Sequence, residues 1–241
     1  KVEKDRLKHQ KEVVYCPTKP SEIFMSGALN PFPVEELKRR REELLEKGDV
    51  GKKVTLIQDG NGVISYELNN KELAPYPHSG GFVDAPVVLY EDLPSNKPPQ
   101  HLYVGGFDDY KQEESDTDSV GSFHIYKVNI GMDEWCGRIV ASLATRPDPQ
   151  AKMHRQIYLL QQAFNAKCFM ENADDKYKQY LETKRVGEEW LYESIDFKGD
   201  ITQKATNKRR FGWTPTPQNI RFLKNLVINY TKEEVTVLNE E

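Results

Sequence analysis

The 241-residue chain is poor in the features that mark several large classes of protein. It has three cysteines, Cys16, Cys136 and Cys168, far apart and with no CxxC pair. That spacing fits neither a zinc site nor a disulfide framework, and it points to a reducing compartment. No run of about 18 apolar residues occurs, so no membrane-spanning helix is expected. The charged start, Lys1–Lys11, has no apolar signal region behind it. There is no GxxxxGK[ST] phosphate loop, and the stretch Gly48–Lys53 is too short for one. The five histidines show no shared spacing among His78, His101, His124 and His154, which argues against a zinc or histidine-nucleophile site. Ser119 and Ser122 lack a readable triad partner. With a net charge of −4, the chain is not the basic type expected of a general nucleic-acid coat. Local basic patches and acidic metal ligands can still share one such domain.

What is present is charge, at 30% of residues, together with 37% hydrophobic residues, 12 Tyr, 10 Phe and 3 Trp. This composition predicts a hydrated globular protein whose core draws much of its area from aromatics. The length suits one large domain, or one domain with an appendage.

The most informative stretch is His101–Lys127. An apolar strand, Leu102–Phe107, delivers Asp108 and Asp109 at its end. An acidic turn follows with Glu113, Glu114 and Asp116, and a second strand begins near Asp118–Ser119 and runs through Ser122–Ile130. Carboxylates crowded at the mouth of a hairpin repel one another, and hard divalent cations with oxygen ligands are the usual remedy. This is the chemical beginning of a metal-dependent phosphodiester-cleaving site.

Before it, Lys1–Lys11 is helix-compatible, prolines break the chain from Pro17 to Pro33, and Ser21–Met25 suits a short capped helix. Pro33–Lys47 is a clear helix, with proline at its start, Glu35 and Glu36 in the first turn and Gly48 at its end. Asp59-Gly60-Asn61-Gly62 between Val54–Ile57 and Val63–Leu68 predicts a hairpin. Pro86–Tyr90 is extended, and Pro94–Pro99 is a spacer. These features divide the chain into an arm and small β-containing appendage, residues 1–99, and a main domain, residues 100–241.

In the main domain, Trp135–Ala144 alternates as a third strand. Gln150–Asn165 places Met153, Ile157, Leu160 and Phe164 at helical spacing. Lys167–Met170 is a short strand that delivers Glu171. Asp174–Arg185 is a helix whose Tyr177 and Tyr180 belong to the core, with Asp174 and Asp175 suiting its positive end. Trp190–Ile195 is a further strand, and Thr216–Tyr230 a helix with Ile220, Leu223, Leu226 and Val227 facing inward. A right-handed crossover returns the strand bearing Glu171 beside the strand bearing Asp108. Both carboxylates then emerge near strand C-termini, where such sheets present ligands.

Three segments carry a family resemblance: YVGGFDDYKQEESDTDS, in which a strand ends in Gly-Phe-Asp and a later Asp precedes Ser; FMEN, Phe169–Asn172; and RRFGWTPTPQ, Arg209–Gln218, leading into a helix. In this order they resemble the RNase H-like nuclease domain of tailed-phage terminase large subunits, the ATP-driven motors of DNA packaging. The resemblance covers residues 100–230. It implies an α/β fold with an RNase H-like mixed central sheet flanked by helices. It also implies double-stranded DNA as substrate, portal protein and small terminase subunit as partners, and a host-cytoplasmic setting during virus assembly. With no phosphate loop here, the motor's ATPase is expected on a preceding part of a longer polypeptide. The family's last acidic ligand lies on a later C-terminal helix, for which Glu240 and Glu241 are poor substitutes.

The implied chemistry is two-metal endonucleolytic cleavage, with two Mg²⁺ or Mn²⁺ ions about 3.5–4 Å apart. Asp108 would bridge both ions and Glu171 would hold one. Asp118, or else Asp109 or Asp116, would hold the other or orient a metal-bound water. Each of these aspartates also has an ordinary reading as a turn or strand-end residue. Lys204, Lys208, Arg209 and Arg210 are candidate grips for backbone phosphates, contacts that carry no sequence information; the alternative is a solvated loop. Lys38–Arg41 reads as a solvated helix face. Two further functions stay open: a resolvase-type nuclease on the same fold, and a non-catalytic RNase H-like module that docks DNA or protein.

Overall fold

The computed structural model describes residues 31–48, 51–75, 78, 80–110, 119–131, 133, 136–171, 176–193, 211–213 and 216–238. The described residues form a mixed α/β fold with four α-helices and one open, mostly antiparallel sheet of seven strands. The helices are α1 (Val34–Lys47), α2 (Ala151–Phe164), α3 (Lys176–Thr183) and α4 (Pro217–Leu238). The strands are β1 (Lys52–Gln58), β2 (Ile64–Leu68), β3 (Val87–Leu89), β4 (Tyr103–Asp108), β5 (Gly121–Lys127), β6 (Ile139–Thr145) and β7 (Lys167–Met170). No described helix is long and apolar enough to cross a membrane.

Contacts divide the chain into two compact units. One takes in residues up to Gly48 together with Arg221–Glu241, and the other is Asp49–Ile220. The larger unit holds the whole sheet, in the order β2-β1-β3-β6-β5-β4-β7. β1–β3, which the sequence places in an appendage before residue 100, are hydrogen-bonded into the same sheet as β4–β7: Val88 pairs with Ser142 and Leu89 with Ala141. The prolines of 94–99 mark a loop between strands of one layer.

The β1–β2 turn forms as its residues require. Asp59 Oδ1 accepts from the main-chain N–H groups of Asn61 at 2.9 Å and Val63 at 2.8 Å. Gly62 takes φ +85°, a value that glycine adopts without strain. β4, β5 and β6 form the expected antiparallel meander, and α2 carries the chain across to β7. Asn165 ends α2 in the left-handed region, and the Ala166 N–H closes on the Gln161 carbonyl at 2.9 Å. β7 then pairs parallel to β4, with Gly105 opposite Cys168 and Phe107 opposite Met170.

One face of the sheet is covered. Val54, Leu56, Tyr103, Phe107, Phe123, Ile125 and Leu143 point toward α2 and α3 and bury there. Aromatic edges fix the stack: Tyr103 meets Phe164 at 5.0 Å, and Phe107 meets Tyr177 at 5.2 Å. Gln156 on α2 clamps β1, accepting from Leu56 N at 2.8 Å and donating to Leu56 O at 3.0 Å. The Tyr177 hydroxyl donates to Gln161, which also donates to the carbonyls of Ala166 and Trp190.

Several expected boundaries shift. The third strand starts at Ile139, because Gly137 at φ +82° turns the chain and its N–H bonds to Lys127 O; Trp135, where the strand was expected to begin, lies outside the described residues. The second strand ends at Lys127. Instead of a strand from Trp190, a 3₁₀ turn covers Gly187–Trp190, followed by single bridges from Leu191 to Cys168 and from Glu193 to Phe211. In α4, three of the four residues expected to face inward are exposed, Ile220 at 49%, Leu226 at 49% and Val227 at 52%, whereas Leu223 is half-buried and Ile228 is buried. Periodicity established an apolar stripe on that helix but not a covering surface.

Candidate functional site

Period-two alternation carries the site. In β4, Tyr103, Gly105 and Phe107 point to the covered face and are buried, whereas Gly106 and Asp108 are exposed on the other. In β7, Cys168 and Met170 are buried, and Phe169 and Glu171 lie opposite them. Phe107 is in register with Met170. The next positions, Asp108 and Glu171, therefore end neighbouring parallel strands on the same face, with the strands about 4.8 Å apart. Across β4 from Glu171, Ser122 of β5 stands opposite Asp108, and His124 stands opposite Gly106.

Burial, and then the charge of Asp109, push the Asp108 carboxyl above the ordinary aspartate range. Among the described residues, neither the Asp108 nor the Glu171 carboxylate is held by a hydrogen-bond donor or a cationic side chain.

Asp109 is placed differently. Its side chain turns to the covered face, where it is only 5% exposed. Oδ2 lies 2.9 Å from His154 Nε2, and Oδ1 accepts from Gln150 Nε2 at 2.6 Å and from the Tyr110 N–H at 2.9 Å. Gln150 also donates to Tyr110 O at 2.9 Å. The structure thus does not bring Asp109 to the face that bears Asp108 and Glu171. It is the latch between the end of β4 and the start of α2. Sequence reading missed His154 and Gln150 as its partners; the available signal was the alternation itself, which sends residue 109 inward once Phe107 is buried.

Glu171 is steadied from the outer edge of β7. Glu171 and Trp213 form a parallel bridge, the Trp213 N–H donates to Met170 O at 2.9 Å, and the Gly212 N–H donates to Tyr192 O at 3.0 Å. Tyr192 stacks on Phe169 with centroids 4.4 Å apart and planes at 14°. His101 Nδ1 lies 3.3 Å from the Tyr192 hydroxyl.

Asp118, Asp116, Lys204, Lys208, Arg209 and Arg210 lie outside the described residues, as do Asp174 and Asp175. Among the described residues, no group of three or more His, Cys, Asp or Glu side chains is gathered as a metal site. The donor chemistry of Asp108 and Glu171, two carboxylates side by side on one face, suits a hard divalent cation rather than zinc or copper. Compared with protein-family models, with curated proteins and with solved structures, the chain matches none.

Proposed function

We propose that the chain is a metal-dependent endodeoxyribonuclease with an RNase H-like core, of the kind the terminase resemblance implies. One observation carries the reading: Asp108 and Glu171 end adjacent parallel strands on the face that α2 and α3 leave uncovered. The arrangement β6-β5-β4-β7, antiparallel as far as β4 and parallel beyond it, supports the RNase H-like assignment.

In this reading Asp108 and Glu171 hold Mg²⁺ or Mn²⁺, with Asp118 as a third ligand. The chemistry such cations supply when bound is Lewis-acid stabilisation of charge on phosphodiester oxygens. The chain's own part is positional. The β4–β7 register fixes the two carboxylates relative to each other, the Asp109 latch fixes the end of β4, and the Trp213 bridge fixes the end of β7. Hydrolysis adds water across one P–O bond: a new P–O bond forms from water, the bond to one sugar oxygen breaks, and that oxygen leaves with a proton. The basic run Lys204–Arg210 would contact backbone phosphates. Portal and small-subunit contacts, and an ATPase on another part of the polypeptide, belong to the same proposal.

The test is cleavage of supercoiled plasmid with Mn²⁺ by the full chain, beside Asp108→Ala and Glu171→Ala. Nicking and linearisation by the parent, lost in both variants and in EDTA, is the expected result. Cleavage unchanged in both variants would overturn the assignment.

A further inference from the structure

Gly105 and Gly106 are adjacent in β4, yet the fold accounts for only one of them. A Cβ on Gly105 would lie 2.8 Å from Cys168 Cβ and 2.9 Å from Phe123 Cζ, so the covered face leaves no room for a side chain. Gly106 meets no such constraint. It is not among the glycines with positive φ. Among the described residues, nothing lies within 4 Å of the point its Cβ would occupy. Glycine inside a strand forfeits both chain order and packing, and it commonly marks a place where a ligand or another backbone comes close.

The surroundings support that second role. Gly106 lies two positions before Asp108 on the same face, in register with His124 on β5 and Phe169 on β7. An aromatic neighbour can compensate for a strand glycine by folding over it. Phe169 does not, because its ring is stacked on Tyr192. What remains, among the described residues, is open space above the main chain of residue 106. His124 flanks it on one side and the Phe169–Tyr192 stack on the other, and it leads to the two carboxylates.

We infer that Gly106 is a clearance residue for DNA: it lets the sugar–phosphate backbone of a duplex lie against the sheet with the target phosphodiester at Asp108 and Glu171. This rests on the nuclease reading above. A duplex is too stiff to bend around a side chain standing on the strand beside the site, so any side chain at position 106 holds the phosphodiester off. A small diester can approach the carboxylates without crossing residue 106.

The experiment compares the parent chain with Gly106→Val, Gly106→Ala and Asp108→Ala in Mn²⁺. It measures supercoiled-plasmid cleavage, hydrolysis of bis(p-nitrophenyl) phosphate, and thermal unfolding. The expected result is a Gly106→Val protein that unfolds no earlier than the parent and retains small-diester hydrolysis, while plasmid cleavage falls about 100-fold, the cost of a misplacement near 1 Å. Gly106→Ala is expected to fall between the two. Plasmid cleavage by Gly106→Val at the parent's rate, with Asp108→Ala inactive, would overturn the inference and leave the nuclease reading standing. Equal loss of both substrates in Gly106→Val and Gly106→Ala would also overturn it, as would a Gly106→Val protein that does not fold, since the glycine would then be structural. A parent that cleaves no better than Asp108→Ala would overturn both the inference and the reading beneath it.

Discussion

His154 on α2 and Asp109 at the end of β4 are 45 residues apart, yet their side chains meet at 2.9 Å, each only 5% exposed. Phe107 and Tyr177 enclose the imidazole, with ring centroids 6.1 Å and 5.3 Å from it. Asp109→Ala strands the His154 ring in an apolar setting and takes from the Gln150 amide one of its two acceptors, leaving Tyr110 O. The expected loss is about 3 kcal/mol of unfolding free energy, the scale for removing one member of a buried charged or hydrogen-bonded pair. Asp109→Asn keeps an acceptor and should lose less. Urea denaturation of both variants checks this; an alanine variant as stable as the parent would show that the latch carries no energy.

Asp108 behaves oppositely. Burial and the neighbouring Asp109 charge raise its pKa above the ordinary 3.8. The folded chain therefore keeps this proton to higher pH than the unfolded chain, and ionising Asp108 works against folding. Stability linked to the group is full below the unfolded value and declines as pH rises through the folded one. With chelator present, Asp108→Asn is expected to be more stable than the parent at about pH 7, with the difference closing toward about pH 3. Paired denaturation curves at the two pH values decide it. An Asp108→Asn protein less stable than the parent at neutral pH contradicts the account.

At the far end of β5, Lys127 is 6% exposed and bonds Glu91 at 2.6 Å and Asp133 at 2.7 Å, with its ammonium over the Tyr103 ring. Burial works against the charge, but the bonds to Asp133 and Glu91 outweigh it and raise the pKa. That contribution is whole below the ordinary lysine value of 10.5 and fades as pH climbs through the raised one. Lys127→Ala is expected to cost about 3–5 kcal/mol by leaving Glu91 without its cation. Lys127→Met with Glu91→Gln should recover much of the loss. Failure of the double variant to recover would mean that the lysine stem's packing, not its charge, supplies the stability.

Gly212 sits at φ +76°, and a Cβ there would collide with the Met170 carbonyl oxygen. Gly212→Ala must push the Phe211–Trp213 segment away from β7 and break the Trp213 N–H bond that steadies Glu171. The expected outcome is a loss of about 1–3 kcal/mol together with weaker Mn²⁺ binding, read by thermal unfolding and by calorimetric titration. Unchanged Mn²⁺ affinity in a folded variant separates the edge bridge from the site.

Much of the fold lies in local pattern. The Asp59–Gly62 turn, the helical spacing of Met153, Ile157, Leu160 and Phe164, and the crossover that returns Glu171 beside Asp108 were each readable, because each depends on chain neighbours or on handedness. The pairing of β3 with β6 was not, since it joins Val88 to Ser142 across 54 residues and neither strand's pattern names its partner. Asp109 shows the same limit at the site. Adjacent aspartates look equivalent as letters, yet the pleat sends one to the opposite face of the sheet and the other to His154. In α4, Leu226 and Val227 sit at helical spacing, but spacing does not say what, if anything, covers them.

The continuity of β3 with β6 has a consequence for dissecting the protein. A polypeptide begun at Gln100 would keep Asp108 and Glu171 but strip β6 of its partner, baring a row of main-chain donors and acceptors beside Ala141 and Leu143. It would also uncover the flank of α2 where Gln156 now binds Leu56. Such bare edges template pairing with other chains. The shortened protein is expected to self-associate through β6, so the first three strands act as the cover of that edge.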